Sequence, residues 1–66
     1  MQGVNGLPFI PMGKIKRKGV SGPKYEVGTA LLQLEDGDWL VEIRMLETGE
    51  QSEYRLSLLQ DDPDAY

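Results

Sequence analysis

The side chains of this sequence that could perform chemistry are carboxylates and lysines, because cysteine and histidine are both absent. The eleven acidic residues include two close pairs, Asp36 with Asp38 and Asp61 with Asp62. General acid–base catalysis needs a carboxylate whose pKa is shifted by burial or by a nearby charge in a cleft. The first pair instead belongs to a turn, and the second lies in an acidic stretch that we expect to be solvated. The sequence therefore predicts no enzymatic activity.

The missing residue types also limit what the chain could bind. Without cysteine or histidine there are no disulfides, no thiolate nucleophile and none of the usual zinc ligands. We expect no cofactor, and no small-molecule substrate is evident. No run approaches the roughly 20 apolar residues of a membrane helix, and the apolar residues 7–10 are interrupted by Pro8. A cytoplasmic protein that does not bind membranes is expected.

Charge is distributed unevenly along the chain. The net charge is −4, yet residues 1–24 carry five basic and no acidic side chains, while residues 25–66 carry two basic and eleven acidic ones. The early basic residues suit an edge strand whose charges discourage pairing with another molecule. Alternatively, they form a patch for RNA or single-stranded nucleic acid. The residues of this alternative are Lys14, Lys16, Arg17, Lys18 and Lys24, with Tyr25 as a stacking surface.

Two tight turns, Asp36-Gly37 and Thr48-Gly49, divide residues 30–56 into three antiparallel strands. Both turns predict the same apolar face, and a slip of one residue would bring charged side chains into it. A four-residue loop over residues 47–50 is an equal alternative for the second turn. The predicted partners are Leu34 with Trp39, Leu32 with Val41, Ala30 with Ile43, Met45 with Ser52, Ile43 with Tyr54 and Val41 with Leu56.

The opposite face of these three strands carries leucines among polar residues. Arg44 is predicted to meet Glu53 there, and Glu42 to meet Arg55. Scattered leucines are common on protein surfaces. Alternatively, this face binds a partner, with the ion pairs as a polar rim. The residues of this predicted interface are Leu31, Leu40, Leu46, Glu42 and Arg44.

The whole pattern predicts an all-β fold, a small Src-homology-3-like barrel of four to five antiparallel strands. The parity of the buried residues changes around Gly28-Thr29, which indicates a bulge or a sharp bend. The alternative is an open sheet covered by the N-terminal arm or by a second copy of the chain. The predicted strands are residues 14–18, 24–28, 30–35, 38–46 and 51–56, followed by a helical or 3₁₀ turn at 57–60.

One small domain is predicted for residues 13–60. Residues 1–12 contain two glycines and two prolines, which is typical of a flexible arm. Residues 61–66 are acidic and are predicted to leave the fold as a solvated tail.

Several short segments carry a resemblance to known families. The segments GPKYEV, WLVEI and LETGE, together with Leu56-Ser57 and Asp62-Pro63, resemble a family of short uncharacterised bacterial proteins, a domain of unknown function. Families of this kind often lie in mobile or toxin–antitoxin-type gene contexts, and the resemblance implies no defined activity. Residues 46–51 and 56–59 are also similar to a hairpin and helix in the anticodon-binding domains of class II aminoacyl-tRNA synthetases, which we interpret as shared hairpin chemistry.

These patterns lead to two functional hypotheses. The first is a non-enzymatic protein-interaction or regulatory module that binds another protein or a second copy of itself. Its acidic surface would suit an inhibitor or antitoxin-like protein that covers a basic, nucleic-acid-binding partner. The second is binding of RNA or single-stranded nucleic acid through the basic segment.

Overall fold

The computed structural model describes residues 8–65. Four antiparallel strands form one sheet in the order β1-β2-β3-β4, and a short helix follows the last strand. Within the described residues β1 and β4 do not pair, so the sheet is open rather than closed as a barrel. The predicted all-β class is confirmed. The elements are β1 at Ile15–Arg17, β2 at Lys24–Gln33, β3 at Trp39–Met45, β4 at Gln51–Arg55 and α1 at Leu56–Asp61.

The loop between β2 and β3 is longer than predicted. The amide of Leu34 donates to the carbonyl of Asp38 at 2.7 Å, and the amide of Gly37 donates to the carbonyl of Leu34 at 3.0 Å. Three residues therefore form the loop, and Gly37 supplies the positive φ, 92°, that its last position needs. The predicted pairing of Leu34 with Trp39 is wrong, because Gln33 takes that place.

Two irregularities in β2 change the face on which its side chains lie. The register shifts between Val27 and Ala30 and again between Ala30 and Leu32. The first shift confirms the predicted bulge. The second reverses the face of Leu32, which pairs with Leu40 and is 49% exposed. The predicted burial of Leu32 is therefore wrong.

The hairpin between β3 and β4 keeps the predicted faces but changes the partners. The amides of Met45 and Gly49 donate to the carbonyls of Glu50 and Met45, both at 2.8 Å. Residues 46–49 form the loop, and the pairing moves by two residues, which preserves the faces. The predicted partners are wrong. The observed partners are Leu40 with Arg55, Val41 with Tyr54, Glu42 with Glu53, Ile43 with Ser52 and Arg44 with Gln51.

The inner face of the sheet, defined as the side that α1 covers, holds the hydrophobic core. Leu56 and Leu59 lie about one helical turn apart, so α1 presents both to the sheet. Both are buried there, while Leu58 of the same helix is 47% exposed. The buried core consists of Tyr25, Val27, Val41, Ile43, Leu56 and Leu59, with Ile10, Trp39, Met45 and Tyr54 partly buried around it.

Residues 62–65 return to β1, so the prediction of a solvated acidic tail is wrong for them. Asp64 forms an antiparallel bridge with Lys16. The amide of Arg17 donates to the carbonyl of Pro63 at 3.0 Å, and the amide of Ala65 donates to a β1 carbonyl at 2.9 Å. Helix α1 is therefore the connection that carries the chain from one edge of the sheet to the other.

The beginning of the described chain is also attached to the sheet. Residues 1–7 of the predicted flexible arm lie outside the described residues. Further along, Ile10 packs against the core, and the amide of Gly13 donates to the carbonyl of Val27 at 2.8 Å.

Among residues 8–65 there is no helix long and apolar enough to cross a membrane.

Candidate functional site

The outer face of the sheet, the side turned away from α1, brings together the residues of the predicted interface. Paired residues in an antiparallel sheet share a face, so the observed register identifies the members. They alternate along the strands with residues of the core. The members of the outer face are Glu26, Gly28, Leu32, Leu40, Glu42, Arg44, Gln51, Glu53 and Arg55.

Three leucines lie together near the β2–β3 end of the sheet, and we call them the leucine patch. Leu32 pairs with Leu40 across the two strands, and Leu31 precedes Leu32 at the second irregularity of β2. Leu31 is 46% exposed and Leu32 is 49% exposed, whereas Leu40 is half-buried. Leu46, which the sequence placed in the same interface, lies apart in the β3–β4 loop. Its place is taken by Leu32.

Two glutamates stand directly opposite each other beside the leucine patch. Glu42 pairs with Glu53 across β3 and β4, whereas the sequence predicted that each would meet an arginine. Arg44 instead bonds to Glu26 at 2.7 Å, and Arg55 turns to the β2–β3 loop. Within residues 8–65 neither opposed carboxylate has an ion-pair or hydrogen-bond partner. Like charges in this position destabilise a sheet.

The absence of a side chain at Gly28 leaves room for Glu42. A Cβ atom at Gly28 would lie 2.9 Å from the carbonyl oxygen of Glu42 and 3.3 Å from its Oε1. The first distance is shorter than van der Waals contact and involves backbone, so a side chain there would force β2 and β3 apart. Glycine at residue 28 therefore allows the carboxylate of Glu42 to lie close against the backbone of β2.

Asp36 lies in the β2–β3 loop and Asp38 directly follows it. Both attach the loop to the beginning of α1. Arg55 donates to Asp36 at 2.8 Å and to Asp38 at 3.4 Å, and the hydroxyl of Ser57 donates to Asp38 at 2.7 Å. The bond from Arg55 lowers the pKa of Asp36, and the bond from Ser57 lowers the pKa of Asp38. Both carboxylates are ionised at neutral pH and hold the loop in place.

Two of the lysines that the sequence offered for nucleic-acid binding, one just before β1 and one within it, share one carboxylate. Lys14 and Lys16 lie 3.2 Å and 3.3 Å from the oxygens of Asp64. Lys16 is only 8% exposed, because it pairs with Tyr25 on the inner face. These bonds lower the pKa of Asp64, with the bond from Lys14 as the larger cause.

The other basic residues of that segment also have contacts within the fold. Arg17 donates to the carbonyl of Gly22 at 3.2 Å. The ammonium of Lys18 lies 4.8 Å from the centre of the Tyr54 ring, a cation–π distance. Lys24 begins β2 and lines a groove of about 610 Å³ between two loops, together with Arg17, Ser21, Gly22, Pro23, Leu46 and Glu47.

Tyr25 is fully buried, so its predicted place as an exposed stacking surface is wrong. Its hydroxyl donates to Asp62 at 2.7 Å, and the hydroxyl of Tyr54 donates to the same oxygen at 2.9 Å. The two rings meet edge to face with centroids 5.4 Å apart. Burial, and then the bond to Asp62, raises the pKa of Tyr25 above its ordinary value and that of Tyr54 to about 12.

Asp62 is the polar centre of this buried cluster. Partial burial disfavours its ionised form, but hydrogen bonds from the amide of Gly19 and from both tyrosines outweigh that effect. The pKa of Asp62 is therefore below its usual range. The sequence did not reveal this role, because an Asp-Asp-Pro stretch is typical of an exposed end. The cluster joins the β1–β2 loop, two strands and the end of α1.

The geometry leaves the outer face as the candidate binding surface. Within the described chain, no group of three or more acidic residues is placed to hold a metal ion. Sequence reasoning missed Leu32 and Gly28 as members of this face. It placed Glu53 there but gave it the wrong partner. A glycine inside a strand was the available indication, since it often marks close approach of another backbone.

Comparison with known proteins places the chain in a family. The model of a "Family of unknown function (DUF5397)" matches residues 4–66. The chain belongs to this family. An uncharacterized protein of Haemophilus influenzae is 50% identical over 56 residues, which cover 85% of this chain and 89% of that protein. The predicted resemblance to a short uncharacterised family is confirmed.

Proposed function

We propose that this protein is a non-enzymatic protein-interaction module whose binding surface is the outer face of the sheet. The observation that carries the proposal is the leucine patch. Leu32 and Leu40 pair on the face that α1 does not cover, and the exposed Leu31 adjoins Leu32 at the second irregularity of β2. Apolar groups grouped on a surface favour association, because contact removes them from water. The net charge of −4 supports the finer proposal of an acidic, inhibitor-like or antitoxin-like role.

The test compares two leucines of nearly equal exposure, one on the outer face and one on α1. Leu32 in the patch is 49% exposed and Leu58 on α1 is 47% exposed, so Leu58→Gln is the matched control for Leu32→Gln. Wild type and both variants are used to capture proteins from nuclease-treated lysate of the native host, with quantification by mass spectrometry.

We expect wild type and Leu58→Gln to recover the same protein in stoichiometric amount. Leu32→Gln should weaken its binding by about tenfold or more, because a buried leucine contributes about 1.5–3 kcal/mol. Equal recovery by Leu32→Gln and wild type would exclude the leucine patch as the binding surface.

Nucleic-acid binding by the basic segment remains a proposal with less support. Three of its residues engage Asp64 or the ring of Tyr54, and its aromatic residue is buried. A Src-homology-3-like architecture also stays a proposal. The bulge in β2, the helical turn after β4 and the return of residues 62–65 to β1 support it.

A further inference from the structure

We propose that the outer face binds a cationic segment of a partner protein, with an arginine or lysine between Glu42 and Glu53 and a neighbouring apolar side chain on Leu32 and Leu40. This inference rests on the proposed function and names the chemistry of the partner. It joins two properties of one face, an exposed apolar surface and a pair of opposed carboxylates.

The charges of the face argue for a cation. Glu42 and Glu53 are directly opposite each other, and both arginines of the face are directed to other carboxylates, Arg44 to Glu26 and Arg55 to the β2–β3 loop. An incoming guanidinium or ammonium would supply the counter-charge that residues 8–65 do not provide. Charge-assisted hydrogen bonds to carboxylates are among the stronger polar contacts in proteins.

The order of residues along β3 places the two properties next to each other. Leu40 and Glu42 are separated by one residue and lie on the same face, with Leu32 and Glu53 as their neighbours across the sheet. Such an arrangement fits a segment in which a basic residue and an apolar residue are close together. Gly28 adds to the site by letting Glu42 lie against the strand.

The same charges disfavour the other occupants. Two copies packed through their outer faces would bring four of these carboxylates together, which is repulsive. Two copies joined antiparallel along β4 about its centre would place Glu53 opposite itself. Nucleic acid would bring phosphates to the same carboxylates.

The test selects peptides from a random-peptide display library on the full-length protein. We expect the selected peptides to be enriched in arginine or lysine next to an apolar residue. The binding of one selected peptide is then measured by fluorescence anisotropy with wild type, Glu42→Gln/Glu53→Gln and Glu47→Gln/Glu50→Gln. The last variant is the matched control, because it removes the same charge from exposed residues between β3 and β4.

The proposal requires that Glu42→Gln/Glu53→Gln bind the peptide at least about tenfold more weakly than wild type, with little change in the control. Relief of repulsion keeps this variant folded, which its Tm verifies. Peptides without basic enrichment, or equal weakening in both variants, would overturn the cationic occupant. Tighter binding of a single-stranded RNA probe than of the peptide would also overturn it. So would self-association that depends on Glu53, measured by sedimentation. If lysate capture still depends on Leu32 in any of these cases, the proposed function stands without this inference.

Discussion

Glu42 and Glu53 place like charges directly opposite each other on β3 and β4. Replacing Glu53 by glutamine keeps its size and removes the repulsion, so the Glu53→Gln variant should gain about 0.2–1 kcal/mol in free energy of unfolding. Urea denaturation measures the gain. Glu47→Gln is the control, since it removes one negative charge from an exposed loop. An equal gain in both variants would mean that only the net charge matters.

Asp62 should be the carboxylate whose loss costs most stability. Its Oδ2 accepts hydrogen bonds from Tyr25 and Tyr54. An amide in its place would weaken both bonds, because it removes the negative charge of the acceptor. The Asp62→Asn variant should lose about 1–3 kcal/mol in free energy of unfolding. The neighbouring Asp61→Asn, on the exposed side of α1, should lose little in the same urea titration. Similar losses in the two variants would contradict the central role of Asp62.

At the scale of the elements, the approach of β2 to β3 depends on Gly28. An added methyl group would lie 2.9 Å from the backbone oxygen of Glu42, so the two strands must move apart. The Gly28→Ala variant should lose about 1–3 kcal/mol in thermal or urea unfolding. Thr29→Ala, at the exposed next position, serves as the control. A Gly28→Ala protein as stable as wild type would show that the strands adjust without cost.

The strands were predictable from the sequence because alternation of apolar residues identified β3 and β4, and the change of parity located the first bulge in β2. Pairing was harder to predict. An Asp-Gly turn fits a two-residue or a three-residue loop, and the choice shifts every partner. The second irregularity, beside Leu32, contains no glycine that would indicate a bulge. The local pattern therefore could not predict that Leu32 belongs to the leucine patch.

At the scale of the whole molecule, stability should be greatest between about pH 4 and pH 10. Asp36, Asp38, Asp62 and Asp64 all have lowered pKa values in the folded protein. Their contribution is present above the unfolded value of 3.8 and is lost as the pH falls through the folded values. Tm measured against pH should therefore fall in acid, and Asp62→Asn should fall less steeply than wild type.

Tyr25 and Tyr54 should limit stability at alkaline pH, because their pKa values shift upward rather than downward on folding. Their pKa values are raised in the folded protein, so their contribution is present below the unfolded value of 10.0 and is lost as the pH rises through the folded value, about 12 for Tyr54. Tyr54→Phe should reduce this alkaline loss in the same measurement. An unchanged alkaline limb would contradict the raised pKa of Tyr54.

The candidate site was only partly predictable because its charges depend on contacts distant in sequence. The change of register puts Arg55 opposite Leu40 rather than Glu42, and its side chain bonds to Asp36, 19 residues away. Lys16 and Asp64 are 48 residues apart, and their pairing turned an apparent tail into part of the fold. Local pattern describes strands well, whereas these partners depend on the tertiary arrangement.

The return of residues 62–65 to β1 has a consequence for the order of folding. The β2, β3 and β4 strands are joined by short loops, so their hairpins close small loops and can form early. The contact between Lys16 and Asp64 closes a loop of most of the chain, and its entropic cost is repaid only when the sheet and α1 are already in place. Attachment of residues 62–65 to β1 should therefore be a late step in folding and an early one in unfolding.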